Sequence, residues 1–170
     1  MPLLPNTLSS GLGAMTPVAT EIEAINGFAT AWLTYFTGAS VLGIPANPGT
    51  LQPLKAAMIS QLTGWSQPNA GAALIQAAII SWWGQVASLA PTIWVGTPGP
   101  VLPGAVPPAG LSGISAALTP VFQSNTSGGL PLASAAQQIA LAIHPTQLGG
   151  IATVLMPTPP IPTPTPTPII

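Results

Sequence analysis

Charge is what this chain most lacks. Glu21, Glu23 and Lys55 are the only Asp, Glu, Lys or Arg side chains among 170 residues, 2% of the chain, where about 25% is usual. There is no Asp, Arg or Cys, and His144 is the one imidazole. Each absence removes a class of function. Nucleic-acid binding draws its affinity from Lys and Arg neutralising phosphates, and one Lys does not supply that. Without Cys there is no disulfide framework and no thiolate metal site, so the redox compartment leaves no trace in the sequence. The opening residues lack the basic stretch and apolar run of a signal peptide, and the chain is read as made in the cytoplasm.

What is present is apolar. The chain is 48% hydrophobic with five Trp, enough for one domain with a real core. Residues 56–170 carry no formal charge, and 71–89 is apolar enough to suggest a membrane span. Periodicity argues otherwise: Ile75, Ile79, Trp82, Val86 and Leu89 form one helical stripe, while Ser81, Gln85 and Ser88 gather on another face. No basic residue flanks the stretch to orient a span. No membrane span is expected. A soluble surface so poor in charge has little to keep copies apart, which points to a subunit covered by its neighbours.

The pattern predicts an all-α bundle of about five helices with a long Pro/Gly loop and an extended Pro/Thr C-terminal arm. Residues 1–18 read as an N-terminal arm with a helical turn or two, 19–147 as the helical domain, and 148–170 as an extended segment with a Thr-Pro tail. The first main helix starts at Thr20, with Glu23 three residues on completing a capping box, and runs along Ile22, Ile25, Phe28, Trp32 and Phe36 to Gly38. Thr50 is the expected cap of a second helix and Asn69 that of a third, ending before Pro91. Leu111 to Phe122 marks a fourth, with Pro120 a kink, and Leu132 to Ile143 a fifth. The 91–110 stretch is a Pro/Gly loop too apolar to hang in water, expected to pack across the helices or a neighbour. Residues 148–156 alternate as a short strand needing a partner, which another chain could supply, and 157–170 reads as polyproline II.

Candidate chemistry is sparse. Glu21 and Glu23 sit where they oppose the positive end of the helix dipole, and His144 sits at a helix C-terminus, where an imidazole caps carbonyls. Lys55 reads as a solvated or interface side chain. One His and two Glu do not make a ready metal site, and the glycines fall among prolines rather than in a phosphate loop. The reading is of a protein that is not an enzyme, with no cofactor and no metal. Trp32 and Trp82 lie on apolar stripes and belong to the core. Trp83 and Trp94, with Val95, are the candidates for a subunit contact; Pro162, Pro164, Pro166, Ile169 and Ile170 are the candidates on the arm, which at about 3.1 Å per residue reaches roughly 40 Å across a neighbour.

The order of these features resembles small Ala/Pro-rich virion structural proteins of tailed bacteriophages. The likeness rests on Pro2-Leu-Leu-Pro-Asn-Thr-Leu-Ser-Ser-Gly-Leu, the Trp/Phe-rich helix, the Gly43-Ile-Pro loop, the Trp82-Trp83 helix, the Pro-Gly segment, Ala142-Ile-His-Pro and Leu148-Gly-Gly. It is one of composition and order and carries no site residues. It implies a head, neck, tail or baseplate subunit located in the virion, whose partners are copies of itself and other virion proteins. A bacterial surface protein with a Thr-Pro stalk and a Trp-based ligand-binding module are the alternatives.

Overall fold

The computed structural model describes residues 3–14, 20–65, 70–126, 131–156 and 163–170. Among these it is mainly helical, with two small antiparallel sheets of two strands each. The helices are α1 (Pro5–Gly13), α2 (Glu21–Phe36), α3 (Pro48–Gln61), α4 (Gly71–Ile93), α5 (Ile114–Thr126) and α6 (Leu132–Ile143). Each of α2 to α6 packs on the next in sequence, and α1 closes the circuit between α2 and α6. The segment expected as an N-terminal arm therefore contributes a wall of the domain, with Leu8 and Leu12 buried. Its close approach to α2 requires a glycine, because a Cβ on Gly11 would stand 2.8 Å from that of Ala31.

Local rules account for the starts of α2 and α3. The Thr20 hydroxyl accepts from the Glu23 backbone N–H, and the Glu23 carboxylate accepts from the Thr20 N–H, so the capping box starts α2 as expected. α3 begins earlier than Thr50 predicts. Asn47 is its cap, accepting from Gly49 N–H at 2.9 Å, with Pro48 at the first helical position, where a missing N–H is harmless. Thr50 lies inside the helix, and its hydroxyl donates to the Thr92 carbonyl at 3.1 Å. Asn69, the expected cap of α4, lies outside the described residues.

α4 runs through Pro91 to Ile93 rather than stopping before it. A proline inside a helix leaves the carbonyl four residues earlier without its donor. Here that carbonyl belongs to Ala87, and it accepts instead from Gly104 N–H at 2.7 Å. The vacancy that ought to end the helix thus anchors the Pro/Gly segment across it.

Two sheets were not foreseen in this form. Residues Ser40–Val41 (β1) and Ile44–Pro45 (β2) make a minimal hairpin. Its two turn residues, Leu42 and Gly43, both have positive φ, 51° and 80°, as the tightest hairpin turn demands. Ile151–Met156 (β3) pairs antiparallel with Thr163–Pro168 (β4), in register from Ile151 opposite Pro168 to Met156 opposite Thr163. The Thr-Pro stretch is a strand of its own chain's sheet, not a free polyproline arm, and β3 finds its partner within the chain. This makes the fold mainly α rather than purely all-α.

The core joins the helices through aromatic rings. Phe36 meets Trp82 and Trp83 edge-on at 5.4 and 5.3 Å between centroids, and Trp32 meets Trp82 at 6.2 Å, the perpendicular geometry that aromatic quadrupoles favour. The indole nitrogens of Trp32 and Trp82 are buried without a hydrogen-bond partner.

Candidate assembly face and the isolated titratable groups

β3 is held on both sides. Ile151 and Leu155 donate to the carbonyls of Val106 and Pro100, and Thr153 accepts from Leu102 N–H at 2.8 Å. The odd-numbered residues thus turn their backbone groups toward the Pro/Gly segment. Ala152, Val154 and Met156 turn theirs to β4, opposite Thr167, Thr165 and Thr163. The period of a strand is two, and so is the period of the Thr-Pro repeat. Every threonine of β4 therefore faces the ladder with an N–H to give, and every proline nitrogen falls on the outer edge, where no donor is needed. An edge without N–H groups is a poor template for another strand. The edge pairing with a neighbour that the sequence suggested for 148–156 is thus occupied from both sides.

The two faces of this sheet differ. Toward the helices lie Ala152 and Val154, fully buried, with Val101 and Thr167 beside them. Away from them lie Ile151, Thr153 and Leu155, flanked by Pro168, Pro166 and Pro164 on one side and by Val106 on the other. Val106 is 54% exposed and Ile151 38%; the three prolines are exposed as well. The outer face is apolar except for Thr153 and contains no ionisable group.

The eight residues expected at subunit contacts divide sharply. Trp83 is buried, its indole donating to Gln147 Oε1 at 2.8 Å. Trp94 is also buried, its indole directed at the Ala39 carbonyl. Both are core residues rather than surface ones, because each indole finds a polar partner inside the fold. Ile169 is buried too: its N–H donates to the Gly150 carbonyl and its side chain lies beside Gly150, next to Trp83. Val95, Pro164, Pro166 and Ile170 are exposed, and Pro162 lies outside the described residues. Pro164 and Pro166 belong to the outer sheet face. Val106, Ile151 and Leu155 were missed, since only strand pairing brings them together.

The titratable side chains are scattered and engaged in structure. Glu21 accepts from Gly64 N–H at 2.7 Å, tying the start of α2 to the turn after α3, and Glu23 serves the cap. Lys55 is half-buried on α3. The His144 imidazole does not cap carbonyls; its Nδ1 stands 2.9 Å from the Tyr35 hydroxyl. With the ring proton on Nε2 the phenol donates to Nδ1, and with it on Nδ1 the ring donates to the phenol oxygen. Burial pushes the Tyr35 phenol well above its ordinary range and lowers the His144 imidazole from its usual value, so it favours the neutral form of both. Among the described residues no three His, Cys, Asp or Glu side chains gather as a metal site. Four of the five tryptophans, Trp32, Trp82, Trp83 and Trp94, are buried, and the fifth, Trp65, is half-buried against Phe28.

No protein-family model, curated protein or solved structure matches the chain.

Proposed function

We propose that this protein is a non-enzymatic structural subunit of a tailed-bacteriophage virion, working in the head, neck, tail or baseplate through uncharged surfaces that pack on copies of itself and on other virion proteins. The observation that carries the reading is the outer sheet face of Val106, Ile151, Leu155, Pro164, Pro166 and Pro168, open and without a charge. Apolar surface of this kind is stable in water when another subunit covers it, and a chain with three ionised side chains has little repulsion to oppose the contact. The order of sequence features supports the virion as the setting.

Two measurements test this. Mass spectrometry of gradient-purified particles is expected to find the protein at stoichiometric level; its absence there would sink the virion reading. In solution, Ile151→Asp is expected to convert multimers to monomers with helicity unchanged. A mutant that assembles like the parent would remove the sheet face from the contact.

A further inference from the structure

The outer edge of β4 accepts hydrogen bonds and gives none. In an antiparallel strand a residue turns its N–H and its C=O to the same side, so the carbonyls of Pro164, Pro166 and Pro168 point away from β3, and the nitrogens beside them carry no hydrogen. No donor among the described residues reaches these three carbonyls. Two residues beyond Pro168 the same side of the chain behaves differently. Ile170 has an N–H, and it exchanges both backbone hydrogen bonds with Ser40 of β1. Where that side carries a donor it takes a backbone partner, and where proline removes the donor it takes none.

This asymmetry restricts what can cover the edge. A partner strand brings carbonyls as well as N–H groups, and its carbonyls would be buried against proline nitrogens that have nothing to donate. Asn, Gln, Ser and Thr side chains bring acceptors too, and ionised Asp and Glu bring only acceptors. Lys, Arg and Trp are the side chains that give and do not accept. The surroundings choose among these. Pro164, Pro166 and Pro168 are exposed, and Ile151 and Leu155 lie beside them on the outer face, so the acceptors are set in apolar surface. Trp offers one uncharged donor. Arg fits both parts of the edge: its stem covers apolar surface while its head reaches polar groups, and its planar guanidinium is more weakly hydrated than the Lys ammonium. The carbonyl dipoles turn their negative ends outward, and no Lys or Arg of this chain lies on the sheet to oppose a cation, since Lys55 on α3 is the only one. A copy of this chain does not supply the match, because it has no Arg and one Lys.

We propose that the outer edge of β4 docks a second, different protein through a row of its Arg side chains, which donate to the carbonyls of Pro164, Pro166 and Pro168. Alternate carbonyls along a strand stand about 7 Å apart. Arg at every fourth position of a helix, a rise of about 6 Å per step, meets that spacing with its long side chain. The proposal rests on the reading of the protein as an assembly subunit and assigns one edge of it to a partner of unlike sequence.

The test uses the full chain and, as probe, an alanine-based helical peptide with Arg at every fourth position, beside the same peptide carrying Gln or Glu there. The carbonyl carbons of Pro164, Pro166 and Pro168 are read through the N–H groups of Thr165, Thr167 and Ile169 by triple-resonance NMR. The Arg peptide is expected to shift all three carbonyls saturably and to bind about tenfold more tightly than the Gln peptide, the scale by which a hydrogen bond to a charged group exceeds a neutral one. The Glu peptide is expected to leave them unmoved. Pro164→Val with Pro166→Val places N–H groups in the edge and is expected to weaken the Arg peptide by about tenfold as well; the parent chain alone decides the matter if this variant folds poorly. Carbonyls that stay still under the Arg peptide, equal binding of the Arg and Gln peptides, an affinity that the two valines leave unchanged, or shifts confined to Glu21 and Glu23 at the start of α2 would overturn the proposal. Arg-peptide binding at the edge of a protein missing from purified particles would keep the proposal and remove the virion reading. A silent edge in a protein found in particles would do the reverse.

Discussion

The helical circuit and the β3–β4 sheet are built from opposite materials. The helices meet through large rings, Trp32, Phe36, Trp82 and Trp83, and accept two buried indole N–H groups without partners as the cost of that packing. In the sheet the buried side chains are small, Ala152, Val154 and Thr167, and the backbone supplies the cohesion. Packing of the first kind is spread over many neighbours and sits deep. Pairing of the second kind is linear and ends at one plug, Ile169. A chain with almost no charge therefore has a region that resists removal of any ring and a region that can be lifted off along an edge.

That contrast can be broken from either side. The largest effect is expected from Trp82→Ala, which empties the contact between α2 and α4; loss of a buried aromatic costs about 3–5 kcal/mol, read as a fall in the urea midpoint with loss of near-ultraviolet dichroism. Deleting residues 163–170 is expected to cost about 2 kcal/mol, the scale of exposing one buried Ile side chain, while far-ultraviolet dichroism keeps its helical shape. A truncation that melts the helices as well would erase the distinction between the two regions. The smallest effect comes from pH. The His144 imidazole is lowered from its ordinary value of 6.5 by burial, so the unfolded chain takes up a proton first as pH falls. Stability is then full above about 6.5 and declines below it, because burial disfavours the charged imidazole in the folded state. Thermal unfolding at pH 7.5 and 5 is expected to show a small drop that Tyr35→Phe with His144→Gln abolishes.

What the sequence made legible follows the same division. The helices announce themselves through local signs: the stripe from Ile25 to Phe36, the Thr20 and Glu23 box, the stripe from Ile75 to Val86. These depend on residues within a turn or two of each other, and the fold kept them. The misread parts depend on distant partners. Pro91 looks like a stop until Gly104 arrives to serve the Ala87 carbonyl. The Thr-Pro repeat looks like polyproline until β3 is placed beside it. A signal was there: prolines at every second position leave an unbroken row of threonine donors on one side, which is the pattern of an edge strand. Trp83 was assigned outward because helical phase places it off the main stripe and Trp94 because it falls in the Pro/Gly loop, and only Gln147 and Ala39, reached through the fold, explain why they turn in. The assembly face was half visible, through Pro164 and Pro166, and half hidden, because Val106 and Ile151 lie 45 positions apart in the chain.

The match between the repeat and the strand also sets how the arm can be adjusted. A slide of one residue would present proline nitrogens to β3 and strip the ladder of donors, whereas a slide of two restores every pair. Register is therefore quantised in dipeptides, and Ile169, the one residue that breaks the repeat from inside its seat, selects which of the equivalent settings is used. Inserting a further Thr-Pro unit before residue 163 would leave that seat untouched and lengthen the strand by about 7 Å. The length of the paired edge can thus be altered in uniform steps, with no change to the parts that grip.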